Sequence, residues 1–164
     1  MRNHLVNICV IVVAAQLSHA SWATAQPTPE WIRVALVQHD PQIELQVHGG
    51  FKMLALHTGD QIQQGRHLPQ LPVRAVPEGL SWGDELLPYT GVRIEPVQDA
   101  TISLNGTRLR GTLEIVRQAN LTLLVINHVA LEDYLRGVLS KEAPDYWPEE
   151  ALKAIAIAAR TYAL

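Results

Sequence analysis

The sequence predicts an α+β domain, an antiparallel strand-rich first part followed by two helices. Three observations predict it. Apolar residues recur at every second position in segments from Ile32 to Ile115, the period of a strand with one covered face. At Leu131, Leu135 and Val138 the spacing changes to i, i+4, i+7, the period of a helical face. The two patterns are segregated along the chain rather than interleaved, which is the order of α+β architecture.

The first 25 of the 164 residues stand outside this pattern. Met1-Arg2-Asn3-His4 is a short polar start with one fixed positive charge. Leu5 to Leu17 is apolar except for Asn7 and Gln16, and Ala23-Thr24-Ala25 supplies small residues at a cleavage position. That order is the order of a secretory signal peptide, expected over 1–25. Ser18-His19-Ala20 is a second possible cut. The apolar run falls short of the ~20 residues of a spanning helix. The expectation is therefore an exported protein, periplasmic, extracellular or wall-associated, that meets a membrane only through this segment if it stays uncut.

Cleavage removes Arg2 and no acid, so the formal charge of −3 becomes one unit more negative. An acidic surface is poorly matched to nucleic acid or to anionic lipid. Cys9 is the only cysteine and lies inside the signal, so the remainder offers no disulfide and no thiolate metal site. Histidines are scattered singly, without ligand spacing. Neither metal nor cofactor is expected.

The elements follow in order. Gln26-Pro27-Thr28-Pro29 reads as a stiff linker over 26–30. Ile32, Val34 and Leu36 alternate with Arg33 and Ala35, and Ile43, Leu45 and Val47 alternate with polar residues. Gly49-Gly50 separates that second strand from Phe51 to His57, read as its antiparallel partner. Short strands and loops are expected from Gly59 to Pro88, where Gly and Pro recur. Val92 and Ile94 resume the alternation. Ile102 and Leu104 lead into Asn105-Gly106, a hairpin signal because both residues tolerate positive φ. Leu121 to Ile126 suits a strand covered on both faces.

A first helix starts near Ala130, with Glu132 and Asp133 in its first turn, where the helix dipole favours acids. Ser140 to Trp147 breaks its pattern. Pro148 fits the first position of a second helix whose core stripe is Leu152, Ile155, Ala159 and Tyr162. The chain stops at Leu164 inside that helix, which leads to the expectation of an incomplete domain.

Residues 131–164 carry the chemistry. Two helices flank a short connection that holds Glu142 among Lys141, Pro144, Tyr146 and Trp147. Aromatic side chains combine flat apolar faces with polar tips, a surface that suits sugar rings. A carboxyl shielded from water by such surfaces holds its proton longer, which is what a general acid needs to protonate a glycosidic oxygen. A lone glutamate after a helix is also commonly just a solvated residue.

This stretch resembles the signature of the SpoIID/LytB family, the stage II sporulation protein D and amidase-enhancer group. Leu131-Glu132-Asp133-Tyr134-Leu135 and Gly137-Val138 match its opening, and Glu142 with Pro144 matches its E-x-P loop. Trp147-Pro148, Ala151 to Ala154 and Ala158 to Leu164 match its second helix. Arg110-Gly111 and Ile126-Asn127 also resemble family positions. The resemblance implies a SpoIID/LytB-like domain over 31–164 and a lytic transglycosylase. Such an enzyme cuts the β-1,4 bond between N-acetylmuramic acid and N-acetylglucosamine. The muramic 6-hydroxyl attacks its own anomeric carbon, and one glutamate, aligned with Glu142, serves as acid and then base. Ala143 replaces the usual methionine, Lys141 the usual serine and Ile155 the usual glutamine. The family domain continues beyond this helix.

Four further residues are candidates for substrate binding. Lys153 and Arg160, seven apart on one helix face, would contact a carboxylate or sugar, or form a solvated stripe. The i, i+4 pair of Glu149 and Lys153 supports the stripe. Trp147 has two open roles, core plug beside Pro148 or sugar platform, and Tyr134 is evenly balanced between core and cleft. The expected partners are peptidoglycan glycan strands and, as the LytB name implies, a cell-wall amidase. The competing readings are a non-catalytic enhancer module and an inactive fragment.

Overall fold

The structure, a computed structural model, describes residues 30–144 and 146–163. The expected signal segment and the linker up to Pro29 lie outside the described residues.

The elements run β1 (Trp31–Asp40), β2 (Gln42–His48), β3 (Phe51–Ala55), β4 (Gln61–Gly65), β5 (Leu68–Val76), β6 (Gly79–Trp82), β7 (Glu85–Leu87), β8 (Gly91–Pro96), β9 (Thr101–Leu104), β10 (Thr107–Leu109), β11 (Thr112–Arg117), β12 (Leu123–Ala130), α1 (Leu131–Glu142) and α2 (Glu149–Ala163). The strands form two six-stranded sheets, ordered β1-β12-β11-β8-β3-β4 and β10-β9-β2-β5-β6-β7. Their pairings are antiparallel. The α+β class with strands first and helices last is the one the sequence predicts.

Both sheets feed one hydrophobic cluster. Phe51, Met53, Val92, Ile94, Leu113, Ile115 and Val125 come from the first sheet. Ile43, Leu45, Val47, Val73, Leu80 and Ile102 come from the second, and each of these side chains is at most 1% exposed. Burying a side chain of this kind contributes roughly 1.5–3 kcal/mol, so the period-two pattern is the main source of stability.

Turn chemistry sets the connections. Asn105 and Gly106 adopt φ of 49° and 79° and join β9 to β10 as a tight hairpin. The Asn105 side chain also accepts a hydrogen bond from the Glu44 amide at 2.8 Å, tying that turn to β2. Gly111 has a φ of +85°, and a Cβ there would lie 2.1 Å from the His128 carbonyl oxygen. Only glycine lets the chain cross at this point from β10 in the second sheet to β11 in the first.

Several expectations are corrected. β2 and β3 are not partners, because Gly49, at a φ of +110°, turns the chain from the second sheet into the first. Leu36 is 38% exposed, because a register shift between Ala35 and Val37 turns Val37 inward in its place. Leu121 has a φ of 58° and belongs to a turn, so β12 starts at Leu123 and runs on to Ala130. Its side chains alternate between buried and half-buried. The first helix continues through Glu142, past the break read at Ser140. The second starts at Glu149, with the Pro148 carbonyl accepting hydrogen bonds from the Ala151 and Leu152 amides. Its expected core stripe is not a core. Leu152, Ile155 and Ala159 are half-buried and Tyr162 is 90% exposed, because α2 packs chiefly on α1 and not on the sandwich.

Candidate functional site

The site lies where the chain leaves the first sheet. β12 passes directly into α1 through Ala130, whose extended backbone caps the helix without a side-chain hydrogen bond. The Leu131 amide donates instead to the Glu30 carbonyl at 2.8 Å. Leu131 and Leu135 are buried and fix the helix against the body of the domain. One flank of α1 is left facing β1, β10 and the end of β12 across a cleft of about 460 Å³. Val34, Leu36, Leu109 and Val129 form its apolar wall, and Arg110, Asn127, Asp133, Tyr134, Arg136 and Glu142 supply its polar groups.

Among the described residues two carboxylates line this cleft, and they are differently engaged. Asp133 Oδ1 accepts from Arg110 at 2.9 Å and from Arg136 at 2.8 Å. Glu142 is exposed at the last residue of α1. Arg108, Arg110, Arg136 and Lys141 outnumber the two acids, so the cleft is locally basic in an acidic chain. Asn127 is 7% exposed and its Oδ1 has no hydrogen-bond partner among the described residues. A buried acceptor left unpaired costs about 1–3 kcal/mol.

The candidates named from the sequence separate into two groups. Glu142 and Tyr134 line the same cleft. Lys153, Arg160 and Trp147 are not among its lining residues. Lys153 Nζ lies 2.9 Å from Glu150 and 3.1 Å from Glu149, and the hydrogen bonds it donates to them, that to Glu150 first, hold its amine above the ordinary lysine range. Arg160 bonds Glu132 and so ties α2 to α1. Trp147 is 38% exposed and its amide closes a turn onto the Pro144 carbonyl. Tyr146 is 85% exposed. The apolar shielding expected around Glu142 is therefore not supplied by the described residues; the carboxyl meets water until something fills the cleft.

Sequence reasoning did not single out Arg136, nor give Arg110 and Asn127 a role in the site. Arg110 and Asn127 carried a usable signal, since both lie in pairs that resemble family positions. Arg110 reaches Asp133 only because Gly111 brings β10 against the start of α1.

A second polar cluster lies on the other face of the first sheet. The Glu114 side chain is 5% exposed and accepts from Arg93 at 2.7 and 3.2 Å and from Arg33 at 3.2 Å. His128 Nε2 is 3.0 Å from Oε2, the oxygen that Arg33 bonds, without hydrogen-bond alignment, and acts as a charge neighbour when protonated. Burial pushes the Glu114 carboxyl up, but His128 and Arg93 together outweigh it and hold the group below the ordinary 4.5. The cluster joins β1, β12, β11 and β8 and reads as structural.

Residues 119–164 match the SpoIID family model, described as stage II sporulation protein. This segment is SpoIID-like. It comprises β12, α1 and α2, and so carries Asn127, Tyr134 and Glu142. The SpoIID match points to a cell-wall-related role. Among curated proteins, the chain is similar to an uncharacterized protein of Chlamydia pneumoniae, 39% identical over 90 residues, which is 54% of this chain and 33% of that protein. It is also similar to an uncharacterized protein of Brachyspira hyodysenteriae, 48% identical over 62 residues, or 38% of this chain and 17% of the other. A third, from Chlamydia muridarum, is 28% identical over 131 residues, 79% of this chain and 45% of that protein. The chain thus spans less than half the length of these relatives. No solved structure matches it.

Proposed function

We propose that the SpoIID segment belongs to an exported lytic transglycosylase that cuts the β-1,4 bond between N-acetylmuramic acid and N-acetylglucosamine in peptidoglycan. The observation that carries this reading is the division of labour between the two acids of the cleft. Asp133 is committed to two arginines, which among the described residues leaves Glu142 as the carboxyl open to substrate. A hydrolase of the usual kind needs two working carboxyls flanking the bond. One suffices where the nucleophile belongs to the substrate.

In this reading Glu142 gives its proton to the oxygen leaving the muramic anomeric carbon, and that carbon–oxygen bond breaks. The resulting carboxylate takes the proton of the muramic 6-hydroxyl, whose oxygen bonds to the same carbon. The products are a 1,6-anhydro end and a free 4-hydroxyl; no water is consumed and Glu142 regains its proton. The basic surround suits a glycan that carries the muramic carboxylate.

The exposure of Glu142 also favours a second reading, a module that binds glycan or an amidase without cutting. One experiment separates them. Purified wall is treated with wild-type chain and with Glu142→Gln, and the soluble products are analysed for anhydro-muropeptides by mass spectrometry. The enzyme reading expects anhydro ends from the wild type and a loss of at least a hundredfold in the variant. Anhydro ends at the wild-type rate from the variant would remove Glu142 from the chemistry. Wall binding by both proteins with no new ends from either supports the binding module.

A further inference from the structure

The Asn105-Gly106 turn carries a reactive pair that the cleft does not use. In an asparagine followed by glycine the next backbone nitrogen attacks the side-chain amide with least hindrance, because glycine has no Cβ to crowd it. Both residues are exposed. Among the described residues a Cβ on Gly106 would meet nothing within 4 Å, so packing does not guard the pair. Conformation does. Asn105 has a φ of 49°, in the left-handed region that the two-residue loop between β9 and β10 demands. Its backbone amide donates to the Glu44 carbonyl at 2.9 Å, and its Oδ1 accepts from the Glu44 amide at 2.8 Å. Backbone and side chain of one residue are both anchored on β2. Attack puts the Gly106 nitrogen and Asn105 Cγ in one five-membered ring. Closing that ring rotates Asn105 ψ away from its left-handed value of about +47° and swings the side chain off Glu44.

We propose that Asn105 is a gated site of self-modification, closed while the hairpin is docked on β2 and open when it lifts. The Gly106 nitrogen gives its proton to solvent and bonds to Asn105 Cγ. The Cγ–Nδ2 bond breaks, and the nitrogen leaves as ammonia with a proton returned from solvent. Water then opens the succinimide at either carbonyl, giving aspartate or isoaspartate; nothing is oxidised or reduced. The two products differ in consequence. Aspartate keeps the main chain and an acceptor for the Glu44 amide. Isoaspartate adds a methylene to the main chain inside a two-residue loop, which breaks the Leu104–Thr107 register that closes the hairpin. β10 ends its sheet and pairs with β9, so the turn is what seats it. Once it is unseated, Thr107 to Arg110 leave the wall of the Glu142 cleft and Arg110 leaves Asp133. None of this depends on the chemistry proposed for Glu142.

The test uses the full chain, held at pH 8 either folded or in guanidinium chloride and then digested with trypsin. The peptide from Ile94 to Arg108 carries Asn105, and mass spectrometry reads its conversion from amide to acid. Conversion should be at least tenfold slower in the folded chain than in the denatured one. Glu44→Pro removes the amide that holds Oδ1 and keeps the carbonyl. Folded, as checked by circular dichroism, it should convert at least threefold faster than folded wild type. Chains with isoaspartate at position 105, separated by ion exchange, should be cut by trypsin after Arg108 at least tenfold faster than wild type, and Asn105→Asp at the wild-type rate. Equal conversion in folded and denatured wild type overturns the gate, and this comparison decides the matter if Glu44→Pro does not fold. A folded Glu44→Pro that converts at the wild-type rate overturns the anchoring by Glu44. Isoaspartate chains cut no faster than wild type overturn the release of β10.

Discussion

Replacing Glu114 by glutamine tests the reading of the polar cluster on the outer face of the first sheet. The substitution preserves shape and removes the charge. In the native chain the carboxylate takes two bonds from Arg93, at 2.7 and 3.2 Å, and one from Arg33, at 3.2 Å, with His128 at 3.0 Å. A hydrogen bond involving a charged group contributes about 1.5–3 kcal/mol. That value must be discounted, because the arginine side chains are 62% and 40% exposed and regain water when released. Glutamine also keeps one acceptor oxygen. The net cost at pH 7 is about 2 kcal/mol, which at roughly 4 °C per kcal/mol for a domain of this size corresponds to a fall of about 8 °C in Tm.

The pH dependence has a definite sign. The folded carboxyl sits below its ordinary value of 4.5, so its stabilisation is fully present above the unfolded value and is lost as pH falls through the folded one. Urea melts of wild type and Glu114→Gln at pH 7 and pH 3 therefore show a gap that narrows on acidification, with the variant nearly insensitive to this titration. Equal stability at pH 7 refutes the argument, as does a gap that widens at low pH.

Two further predictions concern backbone and cleft. Gly111→Ala should destabilise the fold by about 3 kcal/mol or more, because its Cβ would meet the His128 oxygen at 2.1 Å in a left-handed conformation. Gly137→Ala, in α1 with nothing within 4 Å of the added carbon, should stabilise by about 0.5–1 kcal/mol; chemical denaturation of the pair checks the contrast. Asn127→Leu removes the unpaired Oδ1 and should leave stability unchanged or raise it by about 1 kcal/mol, read by a thermal melt; a loss of stability would show that the amide is structural.

Much of this architecture was legible in the chain itself. The change from period two to a helical period placed the strands before the helices, and the Asn105-Gly106 signal located the hairpin between β9 and β10. These features depend on neighbours within a few residues, where backbone sterics and side-chain alternation decide the outcome. The dense likeness over 131–164 likewise marked Glu142 and Tyr134, and both line the cleft.

What lay beyond the sequence were the relations between distant segments. A period-two strand does not say which sheet it joins, so β2 and β3 could be read as a hairpin when Gly49 sends them apart. An apolar stripe does not say what will cover it, so Tyr162 read as core and stands in water. The pairing of Asp133 with Arg110 and the unpaired amide of Asn127 were likewise decided by the tertiary structure. Local propensity acts through bonds and steric contacts a few residues apart. A cleft is made by surfaces whose residues meet only after the sheets and helices have packed.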